Sequence, residues 1–219
     1  MSCDKEHPLE NTESFKQIYS GNVNDTMPLY IYRSVKTGIT VCIAQSDGPF
    51  IDSDFNIVTE TFDNDGLPYA VQHLIFTGSD DYNNNLKLWA NRSLASNINA
   101  STSQNRTCFS MRAAGSETFL TLMPKYLNHI LYPTLKDTAY LTEVHHVTGK
   151  ANDGIVYRKI QIKERTSDYI IQKKMLRFLY PGKCGYNSLI YVCTKLIATY
   201  MLLGEDHQQL LKSTTITVV

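Results

Sequence analysis

The sequence predicts an α+β fold: one domain with a mainly antiparallel sheet of about five or six strands and helices packed on one face. Two observations carry this expectation. Strand-like runs and helix-like runs come in mixed order along the 219 residues, without the strict alternation of a parallel doubly wound sheet. The clearest helical period, at 116–131, steps Phe119, Leu122, Met123, Tyr126, Leu127, Ile130 and Leu131 by three and four, as a helix does when it lies on something flat.

Each element follows in order. Residues 1–27 are polar and read as a lead-in, with Phe15 and Ile18 as anchors, and 28–219 as the domain. Residues 29–34 and 40–44 are rich in β-branched and aromatic side chains and flank Val35-Lys-Thr-Gly38, which predicts a hairpin. A third strand is expected at 56–62, where Ile57, Thr59 and Thr61 alternate with Val58, Glu60 and Phe62. Asp65-Gly-Leu-Pro68 has the capping acid and early proline of a helix start, and Thr77-Gly78 closes that helix after about three turns. A second helix is expected at 84–95, burying Leu86, Trp89 and Leu94, and a strand at 107–113. The periodic helix begins behind a Ser116 cap. After it, 139–147 reads as a strand, Asn152-Asp-Gly154 as a turn and 155–179 as one long helix. An apolar helix at 188–203, a short polar helix near 205–212 and a strand at 214–219 complete the chain.

Composition narrows function. With 42% hydrophobic residues the chain can bury a full core. Twenty-one basic side chains balance 21 acidic ones, so no overall field draws a polyanion or an anionic membrane, and neither nucleic acid nor membrane is expected as a partner. Cys3, Cys42, Cys108, Cys184 and Cys193 are odd in number, widely spaced and without a C-x-x-C pair, and read as reduced, mostly buried thiols. Cys108 has no positioned base and reads as packing. The N-terminus shows neither an apolar signal core nor an Arg-rich amphipathic pattern, so the expected location is cytoplasmic. The 16-residue apolar run at 188–203 contains Lys195 and falls short of the ~20 residues a bilayer-spanning helix requires.

The segment Gly66-Leu-Pro-Tyr-Ala-Val-Gln-His-Leu-Ile-Phe-Thr-Gly78 resembles the zinc helix of the M16 metallopeptidases, the insulysin, pitrilysin and mitochondrial processing peptidase group. That family reads Gly-Leu-Pro-His-x-x-Glu-His-Leu, an inverted zinc motif. Two histidines four apart bind Zn²⁺ from one helix face, and the glutamate between them activates the metal-bound water. Asn99-Ala-Ser-Thr102 followed by Thr107-Cys-Phe-Ser110 resembles the edge strand against which M16 enzymes lay substrate backbone. Tyr126-Leu-Asn-His-Ile-Leu-Tyr-Pro-Thr-Leu135 and Thr142-Glu-Val-His-His146 resemble a cytosolic branch, and Gly154-Ile-Val-Tyr-Arg-Lys-Ile-Gln161 resembles the helix that brings the third ligand, a glutamate. The resemblance covers 28–165 well and 166–219 loosely, and implies a single M16/LuxS-like domain.

Measured against that motif, this chain keeps one ligand of three. Tyr69 stands at the first histidine, Gln72 at the general base, His73 at the second histidine and Lys159 at the third ligand. A phenol of pKa ~10 is a poor ligand near neutrality, and a carboxamide cannot take a proton from water. Replacing a carboxylate by an ammonium turns attraction of a cation into repulsion, about 1–4 kcal/mol per unit charge at ~4 Å. The resemblance therefore implies a pseudoenzyme with no catalytic residue and no zinc. A rewired metal site around His73, with Glu143, His145, His146 or Glu164, is the alternative, and it would make the chain a residual zinc-dependent peptidase. Adjacent histidines on a strand point to opposite faces, which argues against it.

For Asn99, Ala100, Ser101 and Thr102 two readings stand side by side: an edge that binds extended peptide through its backbone, or an edge covered by a neighbouring element. Active M16 proteins pair two homologous halves, and this sequence has room for one. The implied partner is a protein or peptide, a full-length M16 relative, or a second copy.

Overall fold

The computed structural model describes residues 14–59, 66–82, 86–92, 96–149, 151–182, 184–187 and 214–218. The expected capping Asp65, residue Leu94 and the helices expected at 188–203 and 205–212 lie outside the described residues.

Seven strands form one sheet. They are β1 (Phe15–Val23), β2 (Met27–Ser34), β3 (Thr40–Ala44), β4 (Phe50–Val58), β5 (Ser96–Thr102), β6 (Arg106–Ala114) and β9 (Thr214–Val218), and they lie in the order β1-β2-β3-β9-β4-β6-β5. Every pairing is antiparallel except β3 with β9, which is parallel. The sheet is thus wider than the five or six strands expected. The added width is β1, which falls inside the stretch read as a polar lead-in. Its Ile18 is 53% exposed and anchors nothing, because β1 lies at the rim and pairs on one side alone, with β2.

Strand alternation puts the core on one face. Ser53, Phe55 and Ile57 of β4 and Thr107, Phe109, Met111 and Ala113 of β6 are buried, as the period of two requires. The opposite face of these two strands carries polar pairs between the exposed Phe50 and Val58: Arg112 grips Asp52 through two hydrogen bonds of 2.6 and 3.0 Å, and Arg106 donates to Asn56 at 3.4 Å. β4 begins at Phe50, six residues before the strand read at 56–62. Its first half, Phe-Ile-Asp-Ser-Asp, carries acids on the open face while the inward Ser53 hydroxyl donates to the Met111 carbonyl at 3.0 Å.

Helices cover the apolar face. α1 (Leu67–Leu74) continues into a 3-10 turn at Ile75–Thr77, α2 spans Leu86–Arg92 and α3 spans Ser116–Leu131. The last matches the predicted limits, although Gly115 rather than Ser116 holds the cap position and Ser116 is the first helical residue. Phe119, Leu122, Tyr126 and Ile130 of α3 pack with Phe55, Phe109 and Met111 of the sheet and with Ala70, Val71 and Leu74 of α1. Fully burying one such large apolar side chain contributes about 1.5–3 kcal/mol.

The region after α3 departs from the expected strand and long helix. Residues 139–147 fall in α4 (Asp137–Glu143) and the start of the two-stranded ribbon that follows it, β7 (His146–Thr148) with β8 (Ala151–Asp153), the latter taking in the expected turn at Asn152 and Asp153. Tyr140 of α4 and Val144 at its end are drawn into the core. The long helix is two helices, α5 (Ile155–Glu164) and α6 (Ser167–Leu179). Thr166 breaks it: its extended backbone ends one helix and its hydroxyl accepts the Tyr169 N–H at 3.4 Å, capping the next. Among the described residues no helix is long and apolar enough to cross a membrane. Cys42, Cys108 and Cys184 are free thiols but only half-buried, which corrects the expectation of mostly buried cysteines.

Candidate functional site

α1 places the four-residue spacing of the zinc motif against the outer strand of the sheet. Gly66 precedes the helix with φ 75°, a left-handed turn suited to glycine, and proline occupies its first turn. Ala70, Val71 and Leu74 then face the core, which leaves Tyr69 and His73, four apart, together on a half-buried face. Their rings meet edge to face with centroids 5.0 Å apart.

Gln72 points elsewhere. It is 7% exposed and reaches β5, where its Nε2 donates to the Ala100 carbonyl at 2.8 Å and its Oε1 accepts the Thr102 hydroxyl. Both ends of the carboxamide are therefore engaged. A carboxylate could accept from Thr102 but could not donate to Ala100, so this arrangement needs an amide.

β5 is the outer strand on this side of the sheet. Asn99 and Ser101 are exposed, Ala100 is half-buried and Thr102 is buried. The N–H of Ala100 is accepted by the Asn99 Oδ1 at 2.9 Å, so both backbone polar groups of Ala100 meet side chains of the same chain. Beneath the strand, the buried Tyr126 hydroxyl donates to the Ser110 carbonyl at 3.1 Å and lies 3.3 Å from that of Asn99, pinning β5 to β6 from α3. Burial, with the nearby Cys108 and Asp54, pushes the Tyr126 phenol well above its ordinary range. Burial also raises the Cys108 thiol, and Asp54 adds to it, the reverse of what a nucleophile needs.

Lys159 sits on α5, exposed beside the buried Ile160. α4 touches both α1 and α5 and so links the two helices that carry the motif positions. The start of α5 is set by Gly154, whose φ of 136° and tight approach to α4 leave no room for a side chain: a Cβ there would lie 2.3 Å from the Val144 carbonyl oxygen. Asp153 accepts the Gly154 N–H at 2.7 Å and pairs with Arg158 at 2.9 Å.

The histidines proposed for a rewired site are held by other partners. His145 is buried, with its Nε2 3.0 Å from the Asn152 Oδ1 and its ring 5.2 Å from that of Tyr157. His146 has its Nδ1 2.8 Å from the Leu141 carbonyl. Among the described residues no three His, Cys, Asp or Glu side chains gather where one metal ion could be held.

The sequence showed neither that Gln72 reaches β5 nor that the Tyr126 hydroxyl does. A tyrosine in an otherwise apolar stripe was the available signal, since a buried phenol seeks an acceptor.

No protein-family model matches the chain. It is 38% identical over 162 residues to an uncharacterized protein of Caenorhabditis elegans, covering 73% of this chain and 16% of that protein. It is 35% identical over 177 residues to an uncharacterized protein of Saccharomyces cerevisiae, covering 79% and 17%. A mitochondrial presequence protease of Candida albicans matches at 29% over 131 residues, 55% of this chain and 13% of the protease. The chain thus spans about one sixth of the length of its first two relatives. Among solved structures, pitrilysin superposes with a TM-score of 0.72 at 13% identity, over 94% of this chain and 22% of pitrilysin. The chain carries the α+β fold of pitrilysin, an M16-like fold.

Proposed function

We propose that this chain is a non-catalytic, M16-like protein that acts by binding a protein or an extended peptide, with β5 at Asn99, Ala100, Ser101 and Thr102 as the contact. The observation that carries this reading is the carboxamide of Gln72 spent on Ala100 and Thr102. The residue at the base position serves the strand rather than a water molecule. The donor set around it does not fit a zinc centre, which takes three imidazole, thiolate or carboxylate ligands and a water. His73 offers one imidazole beside the Tyr69 phenol, and Lys159, which the resemblance aligns with the third ligand, is an exposed ammonium on α5.

An edge strand needs no catalytic residue to bind, since backbone hydrogen bonds supply affinity and alternate side chains supply selectivity. The partner is of one of three kinds: an extended peptide, a full-length M16 relative or a second copy of this chain. Backbone amide exchange tests the contact. With a saturating extended peptide or full-length relative, exchange should slow across Ser96–Thr102. Protection confined to other elements would refute β5 as the contact, and turnover of the peptide would refute the non-catalytic reading.

A further inference from the structure

The same hydrogen bonds that engage Gln72 also close part of the edge it faces. A strand that adds to β5 needs the free backbone groups of its outer side, and at Ala100 these are taken: the carbonyl by Gln72 Nε2 at 2.8 Å, the N–H by Asn99 Oδ1 at 2.9 Å. The Thr102 hydroxyl, two residues on, anchors the other end of the Gln72 carboxamide. Residues two apart on a strand share a face, so the side chain spans the interval a bound backbone would have to enter.

We infer that Gln72, anchored on the Thr102 hydroxyl, is a clip that closes the outer edge of β5 at Ala100, so that a peptide strand binds there by displacing the clip. This inference rests on the reading of β5 as a peptide edge. It deepens that reading by setting what an occupant must supply: a backbone N–H that outcompetes a side-chain amide already in place and largely shielded from water. Side chains alone do not open the site. Edge strands in general are blunted against unwanted pairing, and here the blunting comes from one reversible contact rather than from a proline or a buried charge.

Two variants separate the clip from the fold. Gln72→Met keeps the length and the unbranched shape but cannot donate to Ala100. Asn99→Ala removes an exposed acceptor and releases the Ala100 N–H with little risk to packing. The probe is a fluorescein-labelled octapeptide, Val-Lys-Val-Thr-Val-Lys-Val-Thr, titrated with each protein and followed by polarisation. Both variants should bind it more tightly than the parent chain, Gln72→Met by about tenfold. Measurable binding of the probe that is equal or weaker in a folded Gln72→Met protein than in the parent chain overturns the clip.

A second measurement judges the clip without any peptide. In ¹H–¹⁵N spectra of the parent chain, one Nε2 proton of Gln72 should exchange with solvent far more slowly than those of exposed glutamines, and Thr102→Val should speed it. Exchange as fast as at exposed positions overturns the clip. If no protein binds the probe while that proton is protected, the clip stands and the peptide-edge reading fails.

Discussion

The side-chain amide of Gln72 lies 2.8 Å from the carbonyl oxygen of Ala100, joining the helix of the zinc motif to the outer strand of the sheet. The carboxamide is a tie between the two elements. An acid at this position therefore has a structural cost. Gln72→Glu loses the donor to Ala100 and buries a carboxyl group, and should lower unfolding free energy by about 1–3 kcal/mol, read from urea denaturation. It should not create a zinc site, because Tyr69 and Lys159 remain. A Gln72→Glu protein that retains zinc through dialysis would contradict this.

Tyr126 fastens β5 to β6 from below. Tyr126→Phe leaves the ring in the core beside Phe55, 5.3 Å away between centroids, and deletes the hydroxyl that serves Ser110 and Asn99. The expected loss is about 1–2 kcal/mol, with faster amide exchange along Ser96–Thr102 than along β2 and β3. An unchanged exchange pattern would show that the phenol does not hold the strand.

Gly154 tests how α5 is seated. Its positive φ and the 2.3 Å approach of a Cβ to the Val144 carbonyl both oppose a side chain, so Gly154→Ala should destabilise by about 3 kcal/mol. Gly38→Ala, also at positive φ (74°) but with open space around it, should cost about 1 kcal/mol. Equal losses in thermal melts would mean that crowding at Val144 is relieved by movement.

Tyrosine ionisation supplies a pH test. Burial pushes the Tyr169 phenol up to about 12, with Glu164 adding to the shift and Arg177 opposing it. A raised folded-state pKa means that the fold favours the protonated form. This contribution to stability is fully present below the unfolded value of ~10 and is lost as pH rises through about 12. Tyrosinate absorbance should show a late-titrating group that vanishes in Tyr169→Phe, and a second late group that vanishes in Tyr126→Phe. A single transition for all tyrosines near the ordinary value would contradict the burial of both.

What the sequence disclosed depended on how local the cause was. α3 is set by its own 3.6-residue period, and its limits were legible to the residue. β1 was not, because a rim strand paired on one side need not alternate: Phe-Lys-Gln-Ile-Tyr-Ser-Gly-Asn-Val shows no clean pattern of two. The polar first half of β4, a strand paired on both sides, was hidden for a different reason: Asp52 and Asp54 belong to the sheet's open face. α4 was not legible because seven residues give barely two turns of helical period, and the core claims Tyr140 from it and Val144 just past its end. The break at Thr166 was visible as a capping residue, yet the apolar spacing on both sides masked it. At the site, Tyr69, Gln72 and Lys159 are singled out by the resemblance alone. The destination of the Gln72 side chain could not be read from the sequence, because its partners lie 28 and 30 positions away on β5 and only the packing of α1 on the sheet brings them together.

The central claim is that the fold persists without the metal chemistry, and metal analysis coupled to peptide cleavage tests it most directly. The purified chain, incubated with zinc and then dialysed, should retain far less than one zinc per molecule, and it should leave an extended peptide uncut with or without chelator. One tightly held zinc per chain, together with cleavage abolished by chelator and by His73→Ala, would contradict it.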